Sequence, residues 1–383
     1  MTEPTEHTEE RRMMQESVRR YVERSYGFAQ RSAALAEPAG FAARHWADFA
    51  SFGWLALGLP EACGGFGNAL DQAALAEELG RALVAEPWLA NAALCGPLLA
   101  QDADAVQCGH VVAMAAGRLK LALAAWEIQG RYDAFDIAAT AQPDARGWVL
   151  DGSKTLVLAG GSADLFLVVA RTAGQRRDRH GLSLFAVPAS TAGLQVDPLP
   201  TYDGRQTATL ALRRAVVPEA ALVGVRDVAW PRVEAAIDHA TAMACAESVG
   251  TMARAFELTR DYLATRVQFG RAITANQVIR HRLVDLFVSI EQARAITEAA
   301  AARLLDAPRE RMRVVSQAKA FVCAAGRKLG EEAVQLHGAV GMTDEMEIGH
   351  CYKRLAATAN LFGDVDWHLE RLAALDEACA VPA

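Results

Sequence analysis

The chain has 383 residues, of which 52% are hydrophobic and 22% are charged, and its formal net charge is −7. This composition allows a large core and argues against a nucleic-acid-binding protein, because no basic block stands out. No run of 18 apolar residues occurs, so no membrane span is predicted. The seven cysteines have irregular spacings and no C-x-x-C pair, which predicts reduced thiols in a cytoplasmic protein and no zinc site. The polar N-terminal stretch lacks the pattern of a secretory or transit peptide.

Three segments of different character follow one another along the chain. Residues 1–118 are rich in Ala and Leu at helical spacing and predict an α-helical domain. Residues 119–225 contain short apolar runs separated by Gly, Asp and Pro, which predict a central antiparallel β-domain. Residues 226–383 predict a four-helix bundle, a fold that places ligand sites between its helices, with helices near 230–265, 275–305, 312–340 and 347–376. The predicted fold class is therefore α+β, mainly α.

The stretch "TRVQFGR" places Arg266, Gln268 and Phe269 directly before Gly270, at a predicted helix break. An arginine at such a break can direct its guanidinium at a phosphate, and Phe269 offers a flat apolar face. The plainer interpretation is a surface arginine and a core phenylalanine beside a turn.

The stretch "QLHGAVGMTDE" begins at Gln335 and contains Gly338 and Gly341. The two glycines permit backbone N–H groups to approach an anion or a planar ring. A glycine-rich loop between two helices explains the same pattern without a ligand.

These two motifs, in this order and spacing, resemble the acyl-CoA dehydrogenase family, as do "FGWLALGLPEACGGFG" in the first segment and "LDGSKTLVLAGGSADLFLVVART" in the second. The resemblance covers essentially the whole chain. It implies an FAD-dependent oxidoreductase that converts an acyl-CoA to the 2-enoyl-CoA, with an electron-transfer flavoprotein as acceptor. It also implies a homotetramer or an α2β2 heterotetramer with a homologous subunit. The residues that would hold a neighbouring subunit's FAD are Arg266, Gln268, Phe269, Gln277, Gln335, Gly338 and Gly341.

Removal of a weakly acidic α-proton requires a carboxylate within hydrogen-bond reach of it. The family's usual C-terminal glutamate is replaced by Gly363, and Asp364 comes one position late. The stretch "CAESVG" around Glu247 is similar to a motif that supplies the base in a branch known from steroid side-chain degradation. Glu247 is therefore either the base or the partner of an arginine on another bundle helix. Small neighbours such as Ala246 and Gly250 predict room for a branched or ring-bearing acyl group.

The motifs that contact the flavin ring in many family members are weakened. Leu156 and Leu158 replace an aromatic residue and a hydroxyl residue, while Trp126 and Glu127 keep part of another motif. A leucine side chain cannot hydrogen-bond to flavin N5. This favours a division of labour between unlike subunits. Three functions stay open: a catalytic dehydrogenase, a non-catalytic partner subunit that completes FAD sites, and a flavin oxidase or monooxygenase that uses O₂.

Three further residues have structural interpretations. Lys154 in "DGSK" is predicted to be a turn residue, Arg354 to bridge bundle helices, and His368 to lie on a solvated helix face.

Overall fold

The computed structural model describes residues 4–101 and 103–380, which form two compact units. The described residues of the first unit lie within Met1–Ser32, Ala69–Val84 and Thr241–Ala383. Those of the second lie within Ala33–Asn68 and Ala85–Ala240. The predicted fold class is confirmed, because helical segments come before and after the strands of the β-sheet along the chain. The domain boundaries near residues 118 and 225 stay a prediction.

The first unit is helical, and apolar side chains such as Val249, Met252, Ile290 and Leu329 form its core. No helix in the described part of the chain is both long and apolar enough to cross a lipid bilayer. The α-helices of the two units, in chain order, are α1 (Pro4–Ser25), α2 (Phe28–Leu35), α3 (Ala43–Ser51), α4 (Ala69–Arg81), α5 (Gly96–Ala100), α6 (Ala105–Ala115), α7 (Trp230–Thr265), α8 (Gln277–Ala301), α9 (Pro308–His337), α10 (Glu347–Ala359) and α11 (Val365–Ala380).

The predicted last helix, 347–376, is divided into α10 and α11 by a turn. Phe362 and Gly363 have φ angles of 61° and 115°, which no right-handed helix accommodates. Asp364 then starts α11, because its Oδ1 accepts a hydrogen bond from the Trp367 backbone N–H at 2.9 Å. The carboxylate nearest to the family's base position is therefore used as a helix cap.

The strands of the second unit are β1 (Leu121–Ala124), β2 (Thr140–Asp144), β3 (Gly147–Leu158), β4 (Leu165–Arg171), β5 (Leu182–Pro188), β6 (Leu194–Pro200), β7 (Gln206–Val217) and β8 (Leu222–Val223). They form an eight-stranded sheet with the order β6-β7-β3-β2-β4-β5-β8, and β1 pairs with β4. The pairings of β4 with β1 and with β2 are parallel, so the sheet is mixed, although its other ladders are antiparallel as predicted. Trp148, Phe166, Phe185 and Leu210 fill its core. A separate hairpin pairs β9 (Val267–Gln268) with β10 (Arg271–Ala272).

The prediction that all cysteines are reduced is wrong for two of them. Cys63 and Cys108 form a disulfide bond whose Cα atoms are 5.1 Å apart, although 45 positions separate them in sequence. The bond links a short 3₁₀ turn, Glu61–Cys63, to α6. Sequence spacing could not reveal this pair, because the contact depends on how the loop packs against a distant helix.

Candidate active site

Glu247 and Arg354 form a buried ion pair between α7 and α10. Two guanidinium nitrogens of Arg354 donate to the two carboxylate oxygens of Glu247, both at 2.9 Å. Each side chain is only 6% exposed. Two parallel charge-assisted hydrogen bonds fix the direction of both groups as well as their separation. The arginine partner anticipated in one interpretation of Glu247 is present, and Arg354 bridges two bundle helices as predicted.

The backbone that carries Glu247 is fixed by a close crossing of α7 and α4. A Cβ added at Gly80 would overlap the carbonyl oxygen of Glu247, and one added at Gly250 would overlap the carbonyl oxygen of Glu77. The Thr251 hydroxyl lies 3.0 Å from the carbonyl oxygen of Gly80 and 3.1 Å from that of Glu247. Glycine at both contact points allows the two backbones to touch.

This crossing corrects part of the prediction about space near Glu247. The room at Gly250 is filled by the α4 backbone and does not form a cavity. Ala246 does line a cavity of about 500 Å³ with Ala73, Ala74 and Val249, but Glu247 is not part of its wall. The same wall carries the charged side chains of Arg11, Arg12, Glu77, Arg294 and Glu298. Gly250 therefore lets two helices touch, whereas Ala246 borders open volume.

The position of the family's usual base is closed to any side chain. A Cβ added at Gly363 would lie 2.5 Å from Trp367 Cε3 and 2.9 Å from His368 Nε2. His368 is 1% exposed, so its predicted place on a solvated face is wrong. Its Nδ1 lies 3.1 Å from Ser316 Oγ. Burial lowers the pKa of His368 to about 2, so this ring stays neutral at any working pH.

The hairpin that carries Arg266, Gln268 and Phe269 presents all three side chains to the surface. Phe269 and Gly270 have φ angles of 52° and 78°, which makes them the central residues of a tight hairpin turn. A left-handed backbone is unusual for a phenylalanine, and the Phe269 side chain is fully exposed. Strained conformations of this kind cluster at ligand-binding sites. The assignment of these three residues to FAD, which the resemblance implies, stays a prediction.

The second predicted motif lies at the same end of the bundle. His337, the last residue of α9, stacks on Tyr262 of α7 with ring centroids 4.5 Å apart and an interplanar angle of 19°. The Tyr262 hydroxyl donates to the His337 carbonyl oxygen at 3.3 Å. The chain then reverses at Gly338, where φ is 67°, and a Cβ at Gly341 would come within 2.9 Å of His337 Cβ. The stack therefore brings the ends of the two motif-bearing segments together.

Gln335 and Gln277 are both exposed, Gln335 near the end of α9 and Gln277 at the start of α8. Gly338 is exposed, whereas Gly341 is buried in the loop. An exposed amide and an exposed backbone can both donate hydrogen bonds to a ligand from outside the chain.

In the β-sheet unit, Lys154 is buried in strand β3, so its prediction as a turn residue is wrong. Its Nζ donates to Glu127 at 2.7 Å, and Glu127 also accepts from the backbone N–H groups of Ala138 and Ala139. Burial alone acts to raise the pKa of Glu127, but the Lys154 charge and these hydrogen bonds outweigh it and lower that pKa. The acidic residue kept from the family motif thus has a structural role in this unit.

Leu156 lies within a β-bulge of β3 between Lys154 and Val157, has a φ of 51° and is 56% exposed. Leu158 is half-buried, and Trp126 is buried. An apolar side chain held outward by a left-handed backbone can cover a ring by contact, but it supplies no hydrogen bond.

Three family models match consecutive parts of the chain: the N-terminal, middle and C-terminal domains of acyl-CoA dehydrogenase, over residues 8–118, 122–214 and 230–375. Acyl-CoA dehydrogenase IpdE2 of Mycobacterium tuberculosis is 30% identical over 95% of this chain and 96% of its own. An acyl-CoA dehydrogenase of Bacillus subtilis is 34% identical, but the match spans 61% of this chain and 62% of that relative. The ChsE4-ChsE5 complex from Mycobacterium tuberculosis contains a chain with the same fold, at a TM-score of 0.86 and 26% identity, covering 97% of this chain and 98% of that one.

Proposed function

Because this chain belongs to the acyl-CoA dehydrogenase family, we propose that it oxidises an acyl-CoA thioester to the 2-enoyl-CoA with FAD as cofactor and Glu247 as base. The chemistry that FAD supplies when bound is acceptance of the β-hydride. The groups proposed to hold a neighbouring subunit's FAD are those at the hairpin of Arg266, Gln268 and Phe269 and at the loop after Gln335. Their exposure and their left-handed backbone support this assignment.

The closed position at Gly363 is the observation that carries the base assignment. No side chain can be placed there without overlap with Trp367 or His368, and Asp364 already caps α11. The α-proton must therefore be taken by a carboxylate from another part of the fold. Glu247 combines burial with a backbone fixed against Gly80 and a buried arginine partner, Arg354.

Arg354 compensates the burial of the Glu247 carboxylate, the proposed base. A carboxylate taken out of water without a partner favours its neutral form, which cannot accept a proton. The guanidinium of Arg354 is that partner, with one hydrogen bond to each Glu247 oxygen. In the proposed reaction the α-proton moves to a Glu247 oxygen, and Arg354 stays charged beside the neutral acid.

The experiment separates proton abstraction from hydride transfer. The purified holoenzyme is incubated in D₂O with acyl-CoA thioesters, and deuterium incorporation at the α-carbon is measured. Glu247→Gln should abolish exchange, because an amide cannot accept the proton.

The matched control is Glu347→Gln, since Glu347 forms a comparable two-bond ion pair with Arg254 between the same two helices, at 2.8 and 2.7 Å. This variant should retain exchange. Exchange at the wild-type rate in Glu247→Gln would show that the base lies elsewhere.

The second candidate is a non-catalytic subunit that completes FAD sites in an α2β2 assembly. The outward Leu156 and the absence of a side chain at position 363 favour it. Co-expression with a homologous subunit tests it: a partner subunit is flavin-free alone, gains flavin only in the complex, and shows no loss of complex activity when Glu247 is changed to Gln. A homotetramer binds flavin and exchanges the α-proton by itself. A cytoplasmic location and an electron-transfer flavoprotein as acceptor stay predictions.

A further inference from the structure

Lys319 of α9 is fully buried among the helices of the first unit. Within the described residues, no carboxylate pairs with its ammonium group. A buried charge is costly unless it is paired or hydrogen-bonded. The end of α10 compensates it, because Lys319 Nζ donates to the carbonyl oxygens of Thr358 at 2.6 Å and Ala359 at 3.4 Å. The last carbonyls of a helix have no partner within the helix and carry a partial negative charge.

The same face of α9 also holds the first two turns of α11. Ser316 precedes Lys319 by three positions, so the two side chains are neighbours on the helix. The Ser316 hydroxyl oxygen is 3.1 Å from His368 Nδ1 and accepts a hydrogen bond from the Arg371 guanidinium at 3.4 Å. One helix face therefore holds α10 and α11 on both sides of the turn at Gly363.

Lys319 is connected to the Glu247–Arg354 ion pair through the last turn of α10. The buried Thr358 hydroxyl donates to the Arg354 carbonyl oxygen at 3.0 Å, one turn earlier in the same helix. A pair with two parallel hydrogen bonds tolerates little displacement, because each N–H must stay aligned with its own oxygen. Movement of this turn against α9 therefore changes the geometry at Glu247.

The ammonium group also lies close to α7, the helix that carries Glu247. Burial raises the pKa of the Cys245 thiol, two positions before Glu247, and the Lys319 charge acts against that rise. Within α9, Lys319 Nζ is 3.1 Å from Cys323 Sγ. Lys319 thus lies where α7 and α10, the two helices of the ion pair, both meet α9.

We propose that Lys319 is a positioning residue for the proton transfer: it fixes the last turn of α10 and so keeps Arg354 aligned with Glu247. This inference rests on the proposed function for the reaction that Glu247 performs. Lys319 does not touch the reacting atoms and acts only through Arg354. A displacement of about 1 Å at a reacting group can slow a reaction about a hundredfold, so a contact far from the chemistry can limit the rate.

The holoenzyme is assayed for α-proton exchange in D₂O with acyl-CoA thioesters, as wild type and as Lys319→Met. Methionine is close to lysine in size and has no charge, so this variant keeps the interior filled and loses both bonds to α10. Exchange should slow at least about tenfold. The matched control is Cys323→Ala, which leaves a void beside Lys319 but keeps both bonds to α10. It should lose stability and exchange the α-proton at the wild-type rate.

Three further measurements separate positioning from general support of the fold. In an Arg354→Lys background, Lys319→Met should cause no further slowing, because both changes remove the same alignment. Hydrogen exchange of the α10 backbone amides, followed by mass spectrometry, should be faster in Lys319→Met and unchanged in Cys323→Ala. Thr358→Val keeps the shape of the side chain and removes the bond to the Arg354 carbonyl, so it should also slow α-proton exchange.

Slower α-proton exchange in Lys319→Met, with no further slowing in the Arg354→Lys background and a normal rate in Cys323→Ala, supports the inference. The wild-type rate in Lys319→Met overturns it, as does equal slowing in Cys323→Ala or in the Arg354→Lys background. If Lys319→Met does not fold, Thr358→Val decides in its place: a slower rate supports the inference and the wild-type rate overturns it. If the wild type exchanges no α-proton, the proposed function fails. The α10 amides then decide separately whether Lys319 holds that helix, since faster amide exchange in Lys319→Met supports it and unchanged exchange overturns it.

Discussion

Replacement of Gly363 by alanine tests the claim that this position is closed. The new Cβ would lie 2.5 Å from Trp367 Cε3 and 2.9 Å from His368 Nε2, well inside van der Waals contact. Overpacking of this kind costs about 1–3 kcal/mol. The φ angle of 115° adds a conformational penalty of about 1–3 kcal/mol for a residue with a side chain. We therefore expect Gly363→Ala to lower the free energy of unfolding by about 2–6 kcal/mol.

The assay is urea unfolding followed by circular dichroism, with Gly64→Ala as the control. Gly64 has a φ of 78°, but its nearest neighbour is 3.9 Å from the added Cβ, so this variant carries the conformational penalty without the overlap. The difference between the two variants isolates the overlap and should be at least about 1 kcal/mol. If Gly363→Ala is as stable as Gly64→Ala, the position is open and the reasoning fails.

The activity of a Gly363→Glu variant tests the same position by α-proton exchange. Gly363→Glu places a carboxylate where other family members have their base, in a background where Glu247 is Gln. We expect no recovery of α-proton exchange, because the glutamate cannot occupy that volume in the native fold. Recovery of exchange would refute the closed position, while the assignment of Glu247 would stand on the loss of exchange in Glu247→Gln.

Arg354→Met should destabilise the fold by about 3–5 kcal/mol in chemical unfolding, because it leaves the Glu247 carboxylate buried without its cation; the double variant with Glu247→Gln should regain part of that loss. Lys154→Met should lower the free energy of unfolding by a similar amount, because it leaves the Glu127 carboxylate buried without its cation. Thermal melts of the wild type at acid pH should show the loss of the stability that the ionised Glu127 contributes. Since the folded pKa of Glu127 lies below its unfolded value, this stability is present above the unfolded value and is lost as pH falls through the folded one. Phe269→Ala should leave the unfolding free energy of the chain nearly unchanged, because the side chain is fully exposed, but should lower the FAD content of the purified assembly.

Periodicity located the long helices of the last segment closely, since each carries an apolar stripe over many turns. The predicted helix at 230–265 is found as Trp230–Thr265, and that at 312–340 as Pro308–His337. The break between α10 and α11 was not predicted, because a single glycine in an apolar stretch does not by itself end a helix. Its signal was available in "FGD", where a glycine precedes a capping residue.

The environment of polar residues was harder to predict than the elements that carry them. Lysine and histidine are residue types commonly found at the surface. The fold nevertheless buries Lys154 against Glu127 and His368 against Gly363. Both depend on contacts with residues distant in sequence or across a turn, which propensity does not encode. The same is true of the Cys63–Cys108 bond. Glu247 was singled out correctly as a carboxylate in need of compensation, but its partner could be narrowed only to an arginine.

The crossing of α4 and α7 limits how the surroundings of Glu247 can be altered by substitution. At Gly80 and Gly250 the two backbones already touch, so no smaller residue exists that could widen the gap. Random libraries at these two positions can only push the helices apart, and they would displace Glu247 with them. Substitutions at Ala73, Ala74 and Ala246 instead change the wall of a cavity that does not include Glu247, so the backbone contact at Gly80 and Gly250 keeps the carboxylate in place.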